Sequence, residues 1–422
     1  MEKISNIQAA VPSTEYLEMS YVGETATGRG HNQRIEMENL HDGTFRTTES
    51  RVGITIGRHR PRHFVSPMER WDDTYVRYRK RGYIVTKTCK MDKVEITYGG
   101  QQVEGKNYKD IPDPSVNEIV LKILEYANKT ISENYTVSMD NISDEMIDLG
   151  KKILDSLALN YQSMSIAEVN NKLKVLYAAI PRRIDNLSKH LAKRHLDVLD
   201  IIGSEQELYD IMVKRIRSEK VMKADRTILE AFGLDWRPVT EAERDMLCQK
   251  LQESASRYHN AWKITNWKTE QKFRAFCEKE GLTEESGISH LFHGSRSENF
   301  WSILTYGLTI NPTNVVINGK MFGNGTYFAP LARKSLGYTS SRSSYWVRGS
   351  SDLGYLALYK VATGKRYDVE TSQSDLTWDR LQIRCPGAHC TWAHAGSSLR
   401  NDEVIVYQDD QSTIEYLIEM TA

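Results

Sequence analysis

The chain has no net charge: 56 basic side chains balance 56 acidic ones among 422 residues. That balance excludes a protein held to nucleic acid or a membrane by its overall charge, so any such affinity has to come from a local patch. Cysteine is scarce. Cys89, Cys248, Cys277, Cys385 and Cys390 are scattered and odd in number, which excludes a disulfide framework and points to reduced thiols in an intracellular protein. No apolar run approaches membrane-spanning length, so no membrane partner is expected. Met1-Glu2-Lys3-Ile4-Ser5 lacks the charged-then-apolar start of a secretory leader. What is there, 40% hydrophobic and 27% charged residues, describes a globular chain with material for several cores. The length suits about three domains.

From residue 15 to 105 the pattern is short strands and glycine turns. Asp42-Gly43 predicts a hairpin between Ile35-Glu36-Met37-Glu38 and Thr44-Phe45-Arg46-Thr47. Charge here is lopsided: residues 51–90 hold eleven basic side chains and three acidic ones, a local excess of eight. Arg51, Arg77, Arg79, Lys80 and Arg81 are the candidate nucleic-acid contacts. Trp71, Tyr75, Tyr78 and Tyr83 lie among these cations, and stacking on bases or sugars needs such faces beside phosphate-binding groups. Ile111-Pro112-Asp113-Pro114 then reads as a linker. Residues 112–220 read as helical, with a stripe of Val116, Ile119, Val120, Ile123 and Leu124, another of Met146, Leu149, Ile153 and Leu154, and a capping box at Ser165-Ile166-Ala167-Glu168. Residues 227–422 read as α+β, with Thr240-x-x-Glu243 capping a helix and later strands at 355–361, 403–407 and 414–419.

The chemistry concentrates in residues 293–338. His293-Gly294-Ser295-Arg296 follows an apolar run, and Met321-Phe322-Gly323-Asn324-Gly325-Thr326-Tyr327-Phe328-Ala329 runs from a glycine turn into a strand. Gly323-x-Gly325 is not a dinucleotide fingerprint, because the third glycine is missing and a strand follows it. A flat amide can approach the backbone at Gly294, where no Cβ stands in the way. Ser335 supplies a hydroxyl and Tyr338 a flat face.

In this order and spacing the stretch resembles the catalytic core of the poly(ADP-ribose) polymerases, the ADP-ribosyltransferases of the His-Tyr-Glu type. Glu403, opening the apolar run of Asn401-Asp402-Glu403-Val404-Ile405-Val406-Tyr407, matches the third member of that triad. The resemblance implies NAD⁺ as substrate and no metal. It implies catalytic roles for Glu403, His293, Tyr327 and Lys334, and NAD⁺ contacts from His293, Gly294, Ser295, Tyr327, Ser335 and Tyr338. Met321 matches the acceptor-side loop. Residues 15–105 resemble a WGR domain, although the Trp-Gly-Arg that names it is here Glu49-Ser50-Arg51. Leu176-Tyr177-Ala178-Ala179-Ile180-Pro181 resembles a segment of the helical regulatory domain of the DNA-dependent members. Two further departures lie near the site: Asn401 where an aromatic is frequent, and Thr309 where an arginine is frequent.

The expected architecture is therefore multidomain α+β: a small β-rich WGR-like domain (15–105), an all-helical regulatory domain (112–220) and an α+β ADP-ribosyltransferase domain (227–422). The expected activity is poly-ADP-ribosylation stimulated by DNA breaks, on protein or nucleic-acid acceptors including the enzyme itself, with room for an accessory factor. Two alternatives stand beside it, a mono-ADP-ribosyltransferase and a catalytically silent DNA-binding scaffold. The expected location is the nucleus of a eukaryote, or the cytoplasm and nucleoid of a prokaryote. A rival feature, Cys385, His389, Cys390 and His394 within ten positions, offers zinc-ligand types at a spacing that fits no common zinc motif, in a stretch expected to be a loop.

Overall fold

The computed structural model describes residues 13–24, 30–51, 61–87, 108–135, 142–184, 186–220, 226–310, 321–342, 344 and 351–422. Of the eleven basic residues counted in 51–90, Arg58, Arg60 and Lys90 lie outside the described residues. The chain divides into two compact units: Met1–Gln102 with Thr130–Ile216, and Val103–Lys129 with Arg217–Ala422.

In the first unit, β1 (Tyr16–Glu24), β2 (Gly30–Asn39), β3 (Thr44–Arg51) and β4 (Arg62–Pro67) precede helix α1 (Trp71–Lys80) and β5 (Ile84–Lys87). They form one antiparallel sheet in the order β4-β3-β2-β1-β5. The predicted hairpin is there: Glu38 pairs with Arg46, and Asp42 Oδ1 accepts from Thr44 N at 2.9 Å. Gly43 has φ +86°, a conformation that a side chain would strain. Alternation puts Leu17, Met19, Ile35, Met37 and Phe45 on one face, under Trp71, Tyr75 and Tyr78 of α1.

Helix α2 (Pro114–Asn134) contributes residues to both units. The last residue of the expected linker Ile111-Pro112-Asp113-Pro114 already belongs to this helix. Pro114 opens the helix, where its missing N–H costs nothing, and Asp113 Oδ1 accepts from Ser115 N and Val116 N. The first unit continues with α3 (Asp144–Asn160), α4 (Ile166–Ala179) and α5 (His195–Lys220). The Ser165–Glu168 capping box is present, and α4 ends just before Pro181. The turn after α4 is pinned by Arg182, which ion-pairs with Glu205 of α5 at 3.3 Å, both side chains buried.

The second unit runs through α6 (Ile228–Phe232), β6 (Leu234–Pro238), α7 (Glu241–Leu251), β7 (Tyr258–Asn266), α8 (Trp267–Glu280), β8 (Ile288–Gly294), α9 (Phe300–Tyr306), β9 (Thr326–Phe328), α10 (Ala332–Leu336), β10 (Leu353–Ala362), β11 (Arg366–Val369), α11 (Trp378–Arg384), β12 (Cys390–Ala393), β13 (Glu403–Val406) and β14 (Ser412–Thr421). Its sheets are β6-β7-β14-β10-β8 and β11-β12-β13-β9, joined where Phe292 and Ala329 bond to each other's backbone. Helix α7 starts on the expected Thr240–Glu243 capping box. The stripe Val116, Ile119, Val120 and Ile123 of α2 is buried in this unit's core with Trp262, Phe300, Trp301 and Tyr355. Lys122 on the same helix ion-pairs with Glu419 of β14 at 2.8 Å. The chain is thus mixed α and β.

Candidate active site

The site forms where β8, β9, α10 and β13 meet. β8 delivers His293 and Gly294 at its end. His293 Nδ1 lies 3.0 Å from the carbonyl of Tyr327. A carbonyl only accepts, so Nδ1 carries the proton and Nε2 of the neutral ring is left as an acceptor. Burial pushes the His293 pKa below its usual value, against the pull of the Tyr327 carbonyl, which keeps the ring neutral. Phe328 and Tyr359 hold it edge-on, with centroids 5.9 and 6.2 Å away.

Gly294 is required by space. A Cβ there would stand 1.9 Å from the carbonyl oxygen of Ser335, which belongs to backbone and cannot swing aside. Ser335 Oγ donates to Phe292 O at 3.0 Å. Its lone pairs remain for an N–H donor, and engaging an amide oxygen requires the hydroxyl to release Phe292. Ser295 Oγ accepts from Asn299 Nδ2 at 3.0 Å.

Tyr327 is fixed at both ends of its hydroxyl, which accepts from Phe322 N at 3.0 Å and donates to Gly323 O at 2.9 Å. Burial raises its pKa strongly, so it presents a ring and not a proton. Tyr338 keeps 38% of its surface exposed, enough to cover a flat ligand. Burial and then the charge of Glu403 push its pKa up to about 12. Met321 sits at the mouth of the glycine turn, its carbonyl accepting from Ser372 Oγ and Gln373 N.

The charged centre is Lys334 Nζ against Glu403 Oε1 at 2.8 Å, each side chain about 10% exposed. An ion pair this enclosed is held by its surroundings, since neither charge has bulk water to return to. What fixes β13 is a contact the sequence did not reveal. Asp402 Oδ2 accepts from Trp392 Nε1 at 2.8 Å, and Asp402 Oδ1 accepts from Ala395 N at 2.8 Å. Burial pushes the Asp402 pKa up, but these bonds and His394 outweigh it and hold the carboxyl below its usual range. Beside this strand lies a cleft of about 320 Å³ lined by Pro330, Leu331, Arg333, Trp392, Asn401 and Asp402. Arg333 Nε donates to Asn401 Oδ1 at 3.0 Å.

Three of the four possible zinc ligands are otherwise engaged. Cys390 Sγ donates to Thr363 O, and His389 Nδ1 accepts from Lys365 N. His394 places its two nitrogens on Asp368 and Asp402. Their stretch is also not simply a loop, because Cys390 opens β12. Among the described residues no group of three or more His, Cys, Asp or Glu side chains is placed to hold a metal.

Of the candidate nucleic-acid contacts, Arg77, Arg79 and Lys80 share the last turn of α1 and Arg81 follows it, while Arg51 ends β3. Arg79 Nη1 donates to Tyr83 O at 2.6 Å. The aromatics read as stacking faces are instead core: Trp71, Tyr75, Tyr78 and Tyr83 are at most 6% exposed.

Residues 243–422 match the family model of the poly(ADP-ribose) polymerase catalytic domain. Over that stretch the chain is similar to a poly(ADP-ribose) polymerase catalytic domain. The polymerase-like protein 100L of Invertebrate iridescent virus 6 is 29% identical over 183 residues, which are 42% of this chain and 94% of that protein. The poly(ADP-ribose) polymerase of Drosophila melanogaster is 24% identical over 400 residues, covering 83% of this chain but 39% of the fly protein. Poly(ADP-ribose) polymerase 1 of Gallus gallus is 30% identical over 137 residues, 31% of this chain and 12% of that one. The polymerase domain takes NAD⁺ as its substrate and is an ADP-ribosyltransferase.

Proposed function

We propose that the chain transfers ADP-ribose repeatedly, building polymer on protein or nucleic-acid acceptors including itself, in response to DNA ends. The observation that carries the transfer chemistry is the enclosed Lys334–Glu403 pair beside the His293 and Tyr327 rings. In this reading Gly294 and Ser335 hold the carboxamide of nicotinamide, and Tyr338 and Tyr327 cover its ring. His293 Nε2 accepts from a ribose hydroxyl on the adenosine side, and Ser295 adds a second contact there. The bond from ribose C1′ to the pyridinium nitrogen breaks with its electron pair going to nitrogen, so nicotinamide leaves neutral. Glu403 accepts from the 2′-hydroxyl of the nicotinamide ribose, and its charge steadies the oxocarbenium-like centre. An acceptor oxygen attacks C1′ and its proton passes to Glu403. Lys334 holds that carboxylate in place through their ion pair, and Met321 borders the acceptor's approach.

The remaining assignments are a WGR-like module at 15–105 that meets DNA through Arg51, Arg77, Arg79, Lys80 and Arg81, a helical regulatory segment at 112–220 and the transferase at 227–422. A second reading, transfer of single ADP-ribose units, is favoured by Asn401, which binds Arg333 where an aromatic would otherwise border the acceptor. Incubation with labelled NAD⁺, with and without broken DNA, tests all of this. A ladder that lengthens with DNA supports the first reading and a single band the second. No incorporation under either condition defeats both and leaves a silent scaffold.

A further inference from the structure

With Trp71, Tyr75, Tyr78 and Tyr83 sealed in the core, the basic surface of the N-terminal sheet needs another aromatic if it is to stack on bases. The structure supplies one. Phe64 lies on β4, the edge strand, and is 48% exposed. Register fixes the side it is on. Phe64 is opposite Thr47 and Arg62 is opposite Glu49, so these side chains share the face of β3 that carries Phe45, Thr47 and Glu49. That face is the one α1 covers, since Phe45 packs against Trp71 at 5.0 Å and Tyr78 donates its hydroxyl to Glu49 at 2.7 Å. The guanidinium groups of Arg77 and Arg81 flank Tyr78 at 5.2 and 5.7 Å from its ring centre. An exposed phenyl ring thus stands at the rim of α1, beside Arg62, on the side of the sheet where Arg77 and Arg81 lie. Glu49 occupies the place of the tryptophan in the Trp-Gly-Arg pattern, but its carboxylate is spent on Tyr78.

We propose that Phe64 stacks on an unpaired or terminal nucleobase while Arg62, Arg77 and Arg81 hold the adjoining phosphates. The proposal rests on the DNA-binding reading above and names the feature of DNA that is read. The occupant follows from charge complementarity: the sequence around Phe64 carries an excess of eight positive charges, and a nucleic acid is the polyanion that also offers flat apolar faces. A base inside a closed duplex has no free face, so the ring selects ends and single strands.

The test is fluorescence anisotropy of the full chain on two labelled DNAs of equal duplex length, one with a single-stranded overhang and one closed into a dumbbell without ends. The parent is expected to prefer the overhang. Phe64→Ala should lose about fivefold to a hundredfold in affinity for the overhang while keeping the parent's salt slope, because no phosphate contact is removed. Phe64→Trp should restore the preference. Arg77→Gln with Arg81→Gln should instead lower the salt slope by about two. Thermal melting of each variant shows whether it is folded. If folded Phe64→Ala binds both DNAs as the parent does, the stacking role is wrong and the DNA reading stands. A parent that binds neither DNA overturns both. A parent dimer that Phe64→Ala turns into monomers, with DNA affinity unchanged, assigns β4 to a second copy of the chain and overturns the proposal.

Discussion

The Lys334–Glu403 pair puts opposite charges 2.8 Å apart with little water around them, so replacing one partner changes chemistry before it changes shape. Glu403→Gln keeps the volume and a hydrogen-bonding oxygen but removes the negative charge, which the proposed mechanism uses both beside C1′ and as the proton acceptor. Turnover of NAD⁺ should fall on the order of a hundredfold or more, with NAD⁺ affinity nearly unchanged. Isothermal titration beside a nicotinamide-release assay checks this, and equal losses in both would make the residue merely structural. His293 gives a pH prediction. Its folded pKa is depressed by burial, so the unfolded chain takes up a proton at a higher pH than the folded one. Its contribution to stability is complete above the usual imidazole value of 6.5 and is lost as pH falls below that value and through the folded pKa. The acid limb of kcat/KM for NAD⁺ should therefore lie below pH 6.5. A limb at or above that pH, unmoved by His293→Gln, would assign the titration elsewhere.

At the scale of elements, β13 is placed by its neighbour β12. Trp392 donates to Asp402, one residue before Glu403, so the indole helps set where the carboxylate begins. Trp392→Phe deletes the donor and leaves a smaller aromatic ring in its place. We expect kcat to fall roughly tenfold, about what a 1.4 kcal/mol loss of positioning gives, with KM for NAD⁺ and the melting temperature close to the parent's. A drop in melting temperature with unchanged kcat would make the bond ordinary packing. This contact also marks what the sequence could convey. The strand that Glu403 opens was legible because an acidic residue before an apolar run is a local pattern, as were the capping boxes at Ser165 and Thr240 and the hairpin at Asp42-Gly43. The Trp392–Asp402 bond was not, because it depends on the β12–β13 register. Trp71, Tyr75 and Tyr78 misled for a related reason. Their spacing puts them on one face of a helix, and only the sheet beneath decides that this face is covered. Phe64 escaped notice because exposure on an edge strand is decided by strand order, which no local window contains.

For the whole molecule, the two compact units set how the chain can be shortened. The stripe Val116, Ile119, Val120 and Ile123 belongs to the core of the second unit, and each such side chain is worth about 1.5–3 kcal/mol when fully buried. A chain reduced to residues 227–422 should therefore be poorly soluble or melt early. One that joins 103–129 to 217–422 by a flexible link should melt as a single transition and release nicotinamide without DNA. If the segment from 130 onward restrains the transferase, that release should match or exceed the DNA-stimulated rate of the parent. A folded short chain as slow as the DNA-free parent would show that those residues are no brake.

Helix α2 carries a consequence for inheritance. Its first four turns complete the core of the transferase, and its last residues belong to the unit that also holds the N-terminal sheet. A recombination event that cut the gene just ahead of Ile228 would leave a catalytic module missing part of its own interior, while one ahead of Pro114 would keep α2 but carry the helices from residue 130 onward with it. The crossover points that separate the two units fall inside helices α2 and α5, where a join has to preserve both phase and length. Shuffling this transferase onto a new sensor is therefore harder than its chain order suggests, and α2 is expected to travel with it.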